Sequence, residues 1–383
     1  MPRPTPSSAT VPALAVPQGE PASPTRRVAL RGAGAVLAGA ALPPTLLAMG
    51  GDSRAEDSPA LRYAHSEKAL RLAMLLARST SLPVAWLRQQ IAHAYFQPLV
   101  ARLIIPGRPE QKDWRVYRSH FVEPTRIAAG LRFLRDNRSW LDEGQRRFGV
   151  PPEIVLGILG VETIYGRSMG DIPVLDSLCT LALDFPAAAP RDRSAYFASQ
   201  LGDYFIWCNG GGIDPTRTRG SYAGAIGMPQ FMPGSILRWG TRFDGQGPVD
   251  LIHSAPDAIA SVCNFLAGHG WIPHMPAAFA LQVPRDLAPR VLQRLLEPDI
   301  VPSFSAAQLR AAGLSLLPQA LSYPGKLAVV QLPNAGGRAE DRSGPPKPDE
   351  ARASAPPGGL FQAGSPGGLS SRMRWPSCST ASA

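Results

Sequence analysis

Between about residues 58 and 332, apolar residues recur at three- and four-residue spacing, the period of a helix with one buried face. Ala69, Leu70, Ala73, Met74 and Leu75 make one such set. Ile127, Leu131 and Leu134 make another, and Ala258, Ile259, Val262 and Leu266 a third. Prolines and glycines fall between the sets as punctuation. The sharpest segment runs from Gly149-Val150-Pro151-Pro152 to Tyr165-Gly166-Arg167. Proline is tolerated in a first helical turn and glycine commonly closes a last one, so the spacing predicts a helix here. Almost every position inside it is apolar, which predicts burial on most sides. With no clear internal repeat, the expected fold class is mainly α, with a small irregular or β insertion.

This periodicity is missing at both ends. Near the N-terminus, Thr25-Arg26-Arg27-Val28-Ala29-Leu30-Arg31 precedes a Gly/Ala-rich apolar stretch from Gly32 to Met49 and then the charged segment Asp52 to Asp57. A basic region, an apolar region and a small-residue exit form the pattern of an export signal over residues 1–50, and the paired arginines suggest the twin-arginine route. The expected location is therefore periplasmic, with the signal cleaved. Pro43-Pro44 interrupts the apolar stretch, so no stable membrane span is expected after signal removal, an N-terminal anchor being the alternative. No cysteine precedes Cys179, which excludes a lipoprotein anchor, and Gly32-Ala33-Gly34 does not complete a dinucleotide fingerprint. At the other end, residues 335–383 hold seven prolines and eight glycines and offer no core face, so they read as a disordered tail. The unit between, 51–334, is the expected folded domain.

Composition sharpens this division. The 383-residue chain is 44% apolar and 18% charged, which excludes wholesale disorder. Its formal net charge is +10, but residues 1–50 carry +3 and residues 335–383 carry +2, leaving a mild +5 on the folded unit. A mild positive charge suits an anionic polymer such as a cell envelope. There is no dense Lys/Arg run and no zinc-finger spacing, so nucleic acid is not an expected partner. The four cysteines form no CxxC pair, which argues against a zinc or thioredoxin-like site; Cys179 and Cys263 read as small core residues.

Into the last turn of the 152–165 helix the sequence places one carboxylate, Glu162. Burial and the negative end of the helix dipole both favour its protonated form, the state a general acid needs. A structural ion pair, for instance with Arg167, is the alternative. The second feature is Gly220-Ser221-Tyr222-Ala223-Gly224-Ala225-Ile226-Gly227-Met228-Pro229-Gln230-Phe231-Met232-Pro233. Its small residues allow a ligand to approach the backbone, and Ser221, Tyr222 and Gln230 supply hydrogen-bonding groups and a ring face. Tight helix packing would explain the same glycines. The stretch is not a Gly-x-Ser-x-Gly elbow, which disfavours a serine hydrolase.

Together, the Gly160-Val161-Glu162-Thr163-x-Tyr165-Gly166 and Gly220–Pro233 stretches resemble the lytic murein transglycosylase B family, glycoside hydrolase family 103. Supporting matches include Trp114-Arg115-Val116-Tyr117-Arg118, the Asp176 to Pro186 stretch, Asp257-Ala258-Ile259 and His269-Gly270-Trp271, so the likeness spans roughly residues 60–332. The resemblance implies a lysozyme-like fold, no cofactor, and peptidoglycan glycan strands as the partner; protein partners are not indicated. It implies cleavage of the β-1,4 bond between N-acetylmuramic acid and N-acetylglucosamine without water. Glu162 would protonate the glycosidic oxygen and then, as carboxylate, take the proton of the muramoyl C6 hydroxyl as a 1,6-anhydro ring closes. By the same resemblance Ser221, Gln230, Arg191 and Arg193 line the cleft and Tyr222 contacts a sugar face.

Two departures stand out. Many members carry a calcium loop that aligns with Arg242–Asp250, but its first, third and fifth positions here are Arg242, Asp244 and Gln246, so no metal is expected. The family's C-terminal Tyr-Asn segment does not appear after Leu332, which suggests a reading-frame shift near Asn334. Two rival readings follow. A hydrolysing muramidase would need a second carboxylate opposite Glu162, with Asp171, Asp176 and Asp184 the closest in sequence. A peptidoglycan-binding protein with impaired turnover would need none.

Overall fold

The computed structural model describes residues 62–106, 114–274, 277–284, 286–298, 300–331 and 358–361. All belong to one unit, Gly34–Ala383. The segment read as an export signal, and all of the tail except Gly358–Phe361, lie outside the described residues.

Fourteen helices are described: α1 Glu67–Thr80, α2 Val84–Ala92, α3 Pro98–Leu103, α4 Trp114–Phe121, α5 Pro124–Asp136, α6 Arg138–Phe148, α7 Pro152–Thr163, α8 Val174–Leu183, α9 Ser194–Gly211, α10 Pro233–Trp239, α11 Ala255–Gly268, α12 Pro289–Leu296, α13 Ala306–Ala311 and α14 Pro318–Leu321. Proline sits in the first turn of α3, α5, α7, α10, α11, α12 and α14, where a missing N–H costs nothing. Half of the described helices thus carry a proline in their first turn. The strands are short: β1 Ile172–Pro173, β2 Arg219–Gly220, β3 Ala278–Gln282, β4 Ser315–Leu316, β5 Ala328–Gln331 and β6 Gly358–Phe361. The mainly α expectation holds, with β structure as a minor part.

One hydrophobic core joins α1–α3 and α5–α11. Its centre is α8 against α9: eight of the ten residues of α8 are buried, as are Phe197, Leu201, Tyr204 and Phe205 of α9. Helix α11, with Ala258, Ile259, Val262 and Leu266 all buried, packs on α6 and α7. Cys179, Cys208 and Cys263 are buried free thiols within this core. A second cluster, built on Phe279, Leu281, Leu309, Leu327 and Val329, joins α12–α14 to a sheet of order β4-β3-β6-β5, antiparallel throughout.

The apolar spacing located helices more faithfully than it located their inner faces. In α1 the buried set is Ala69, Leu72, Ala73 and Leu76, a clean i, i+3, i+4, i+7 stripe, while Leu70, Met74 and Leu75 face solvent. In α5 the buried residues are Ala129 and Phe133, and Ile127 and Leu131 are more than half exposed. Helix α7 is also less enclosed than expected. Val155, Leu159, Gly160 and Thr163 are buried, but Glu153, Gly157 and Val161 form an exposed strip along its other side.

Candidate active site

Helix α7 packs against α5, α6 and α11, and Glu162 stands one residue before its end. The chain reverses before Gly166. Ile164 (φ 51°) and Tyr165 (φ 58°) both adopt the left-handed conformation, which is costly for a β-branched and a bulky residue. Packing and hydrogen bonds hold the reversal. The Tyr165 hydroxyl lies so close to Gly130 and Gly160 that a Cβ at either would come within 2.4 and 2.7 Å of it. Its ring centroid is 5.1 Å from that of Phe133. The N–H of Tyr165 donates to Leu159 O at 3.0 Å. Thr163, fully buried, accepts the Gly166 N–H at 2.9 Å and donates its hydroxyl to Met228 O at 2.8 Å.

That last bond ties the end of α7 to the glycine-rich stretch, which is a packed loop between β2 and α10. Ser221 N–H donates to Ala225 O at 3.0 Å, and Ser221 Oγ accepts the Ala225 N–H at 3.1 Å. Ser221 Oγ is thus an acceptor within the loop, and its hydroxyl proton is its remaining donor. Gly227 has φ 73°, and a Cβ there would sit 2.4 Å from Leu251 O, so only glycine fits. Gln230, itself left-handed (φ 51°) and 4% exposed, donates its amide to Met169 O at 3.1 Å and Gly227 O at 3.0 Å. Its nitrogen therefore holds the loop to the segment following α7.

Among the described residues, Glu162 Oε2 is the one buried side-chain oxygen or nitrogen without a hydrogen-bond partner. A buried carboxyl oxygen left unpaired is costly, and costlier when ionised. Burial alone accordingly pushes the Glu162 carboxyl up to about 7. The suggested partner Arg167 is exposed and forms no ion pair with it. None of the three aspartates is both buried and unpartnered. Asp176, 6% exposed, accepts the Tyr95 N–H and the Gln97 amide. Asp184 accepts the Tyr63 hydroxyl and the Lys68 ammonium, and Asp171 is exposed.

The remaining expected site residues gather at the start of α9. Arg193 precedes the helix, with its guanidinium carbon 4.7 Å above the Tyr196 ring and 5.4 Å from that of Phe197. Burial lowers its pKa, the phenol of Tyr196 counters this, and Arg191 and Tyr222 are further electrostatic neighbours. Tyr222 is half-buried, and burial raises its phenol while Arg193 lowers it. Arg193, Tyr222 and Arg191, which is exposed, thus form one group. Sequence reasoning gave no role to Thr163, Met228 or Leu251. Thr163 is a polar residue inside an apolar stretch, but Met228 and Leu251 take part through their backbone groups, which carry no side-chain signal, so the brace is visible only once both segments of the chain are placed.

Replacing Thr163 by Val keeps the volume and removes both bonds, leaving Met228 O and Gly166 N–H unpaired. Thr163→Val is expected to cost about 1–3 kcal/mol of stability and, by loosening the end of α7, to slow any reaction that Glu162 carries out. A variant matching the wild type in thermal unfolding and in rate would rule the brace out.

No group of three or more His, Cys, Asp or Glu side chains that could hold a metal occurs among the described residues, and no described helix is long and apolar enough to cross a membrane. Comparison with known proteins gives a consistent picture. Residues 66–340 match the family model described as transglycosylase SLT domain. The chain is 35% identical over 202 residues to the membrane-bound lytic murein transglycosylase B of Escherichia coli (strain K12). That match covers 53% of this chain and 52% of the relative, so it spans about half the relative's length. Among solved structures, the catenated lytic transglycosylase of Pseudomonas aeruginosa superposes with TM-score 0.66 at 25% identity, over 78% of this chain and 89% of its own. An Escherichia coli lytic transglycosylase solved in complex with calcium superposes with TM-score 0.61 at 28% identity, over 72% and 85%.

Proposed function

The chain belongs to the transglycosylase SLT domain family, and from that membership we propose that it is a lytic transglycosylase acting on peptidoglycan glycan strands. Its substrate is the β-1,4 bond between N-acetylmuramic acid and N-acetylglucosamine, and its product carries a 1,6-anhydro ring. The observation that carries this reading is the isolated carboxyl of Glu162, half-buried, unpartnered at Oε2 and held at about 7 by burial.

At neutral pH such a group is protonated often enough to give its proton to the glycosidic oxygen as the bond to C1 breaks. The resulting carboxylate then accepts the proton of the C6 hydroxyl as that oxygen bonds to C1. The acid returns to its starting state, no water is consumed, and one carboxyl performs both transfers. Ordinary glycosidases use two carboxylates on opposite sides of the sugar. Here Asp176 and Asp184 are committed to other partners, which disfavours hydrolysis. Ser221 and Tyr222 line the cleft with Arg191 and Arg193. Gln230 forms part of that wall while its amide nitrogen braces the loop.

Digestion of purified sacculi, read by mass spectrometry, tests the proposal. Anhydromuropeptides, lighter by one water than hydrolysis products, are expected. Reducing-end muropeptides would assign the site to a muramidase, and sacculus binding without product would assign it to a scaffold. The same reading assigns residues 1–50 to export into the periplasm, 51–334 to catalysis and 335–383 to a disordered or frame-shifted tail, apart from Gly358–Phe361, which pairs with β3 and β5. Fractionation of cells expressing the chain with and without residues 1–50 reads the first of these.

A further inference from the structure

The loop between α10 and α11 converges on a guanidinium. Arg242 Nε and Nη2 donate to the two carboxylate oxygens of Asp244 at 2.9 and 3.0 Å, a bidentate fork. Its Nη1 donates to Pro248 O at 3.2 Å and lies 3.6 Å from Asp257 Oδ2. Asp257 is 4% exposed, and the same oxygen accepts the Asp250 N–H at 2.9 Å. Asp250 then accepts the N–H groups of Ile252 and His253, both at 2.9 Å. Asp244, Asp257 and Asp250 all favour the charged guanidinium, and Arg242 holds the Asp244 carboxyl at about 2.

Calcium, the ion the family resemblance implies for this loop, needs six to eight oxygen ligands around an open centre. These residues do not fit it. Both oxygens of Asp244 are taken by Arg242, and the loop's first position is itself a cation. A dication would have to displace a side chain with three contacts or sit beside a fixed positive charge.

The loop also bears on the site. Leu251 O accepts the Met228 N–H at 2.8 Å, and Gly227 is pressed against Leu251. Met228 O in turn receives the hydroxyl of Thr163, next to Glu162. A continuous set of contacts therefore runs from Arg242 through Asp257, Asp250, Leu251, Met228 and Thr163 to the end of α7.

We propose that Arg242 is the resident cation of this loop, a positioning residue that organises its three aspartates in place of a divalent ion and so frames the glycine-rich loop beside Glu162. The proposal rests on the functional reading above only for its turnover readout; its thermal readout stands independently.

The test is thermal unfolding and sacculus digestion by the full chain, each in EDTA and in millimolar calcium. Wild type should show the same Tm and rate in both. Arg242→Gln should unfold roughly 2 °C lower and turn over more slowly. Because its three aspartates have lost their cation, added calcium should recover part of that Tm. Arg242→Lys, which keeps a point charge without the fork, should fall between the two. A wild type stabilised or accelerated by calcium would overturn the proposal, as would Arg242→Gln indistinguishable from wild type. So would a destabilised Arg242→Gln that ignores calcium, because the loss would then be one of packing. Should Arg242→Gln fail to fold, Arg242→Lys decides: a folded, calcium-indifferent protein supports the proposal, and a calcium-dependent or unfolded one overturns it. A normal calcium-independent Tm pattern in a protein that releases no product would leave the cation role standing and sink the activity instead.

Discussion

Glu162→Gln should leave the fold in place and reduce release of anhydromuropeptides by about a thousandfold or more. The substitution preserves shape and polarity but removes the transferable proton, and positioned acid–base catalysis contributes roughly 10²–10⁴-fold per step. Glu162 serves twice, first as acid and then as base, so the loss should lie at the upper end of that range. Nothing nearby can substitute, since burial is the cause of its shift and its Oε2 has no partner to relay a proton. In the wild type, the rate of the first proton transfer should fall as pH rises through about 7, where Glu162 becomes ionised. Mass spectrometry of timed digests measures both. A Gln variant retaining a tenth of wild-type turnover would remove Glu162 from the mechanism.

The helical character of the chain was legible because prolines mark so many helix starts and the apolar spacing between them is regular. Which face of each helix turns inward was less legible. Ala69, Leu72, Ala73 and Leu76 carry the buried stripe of α1 while Leu70, Met74 and Leu75 are exposed, so large apolar residues lie on both faces and hydrophobicity alone did not choose between them. For the site, Glu162 stood out as the one carboxylate in the last turn of an apolar helix, with a structural ion pair left open as the alternative, and the resemblance of the flanking motifs supplied its proposed role. The reversal at Ile164 and Tyr165 was not legible, because left-handed conformations at such residues run against local preference and exist through contacts with Gly130, Gly160 and Met228. Gln230 shows the same limit. A polar residue in a glycine-rich loop reads as a ligand contact, yet its nitrogen is spent on Met169 and Gly227, which are distant or unremarkable in sequence. Arg242 could be read as a departure from an acidic pattern, but its three aspartates became a set only once the loop closed on α11.

Glu162 should also make the protein less stable as pH rises, in a way the Gln variant abolishes. Its carboxyl is raised from an ordinary value of 4.5 to about 7 by burial. Between those two values the folded chain binds more protons at this position than the unfolded chain, so unfolding releases them and stability falls with increasing pH. The favourable contribution is fully present below about 4.5 and fully lost above about 7. A shift of that size corresponds to about 3 kcal/mol, or roughly 6 °C in Tm for a domain of this length. Glu162→Gln carries no ionisable group there. The difference in Tm between variant and wild type should therefore grow by about that amount from pH 4 to pH 8, with the variant gaining, while all other titrating groups cancel between the two curves. A catalytic acid kept dry for proton transfer is thus a destabilising element at the pH where it works. Thermal unfolding of both proteins across this range measures the effect, and a flat difference curve would show that Glu162 is solvated in the folded state and cannot be held protonated by burial.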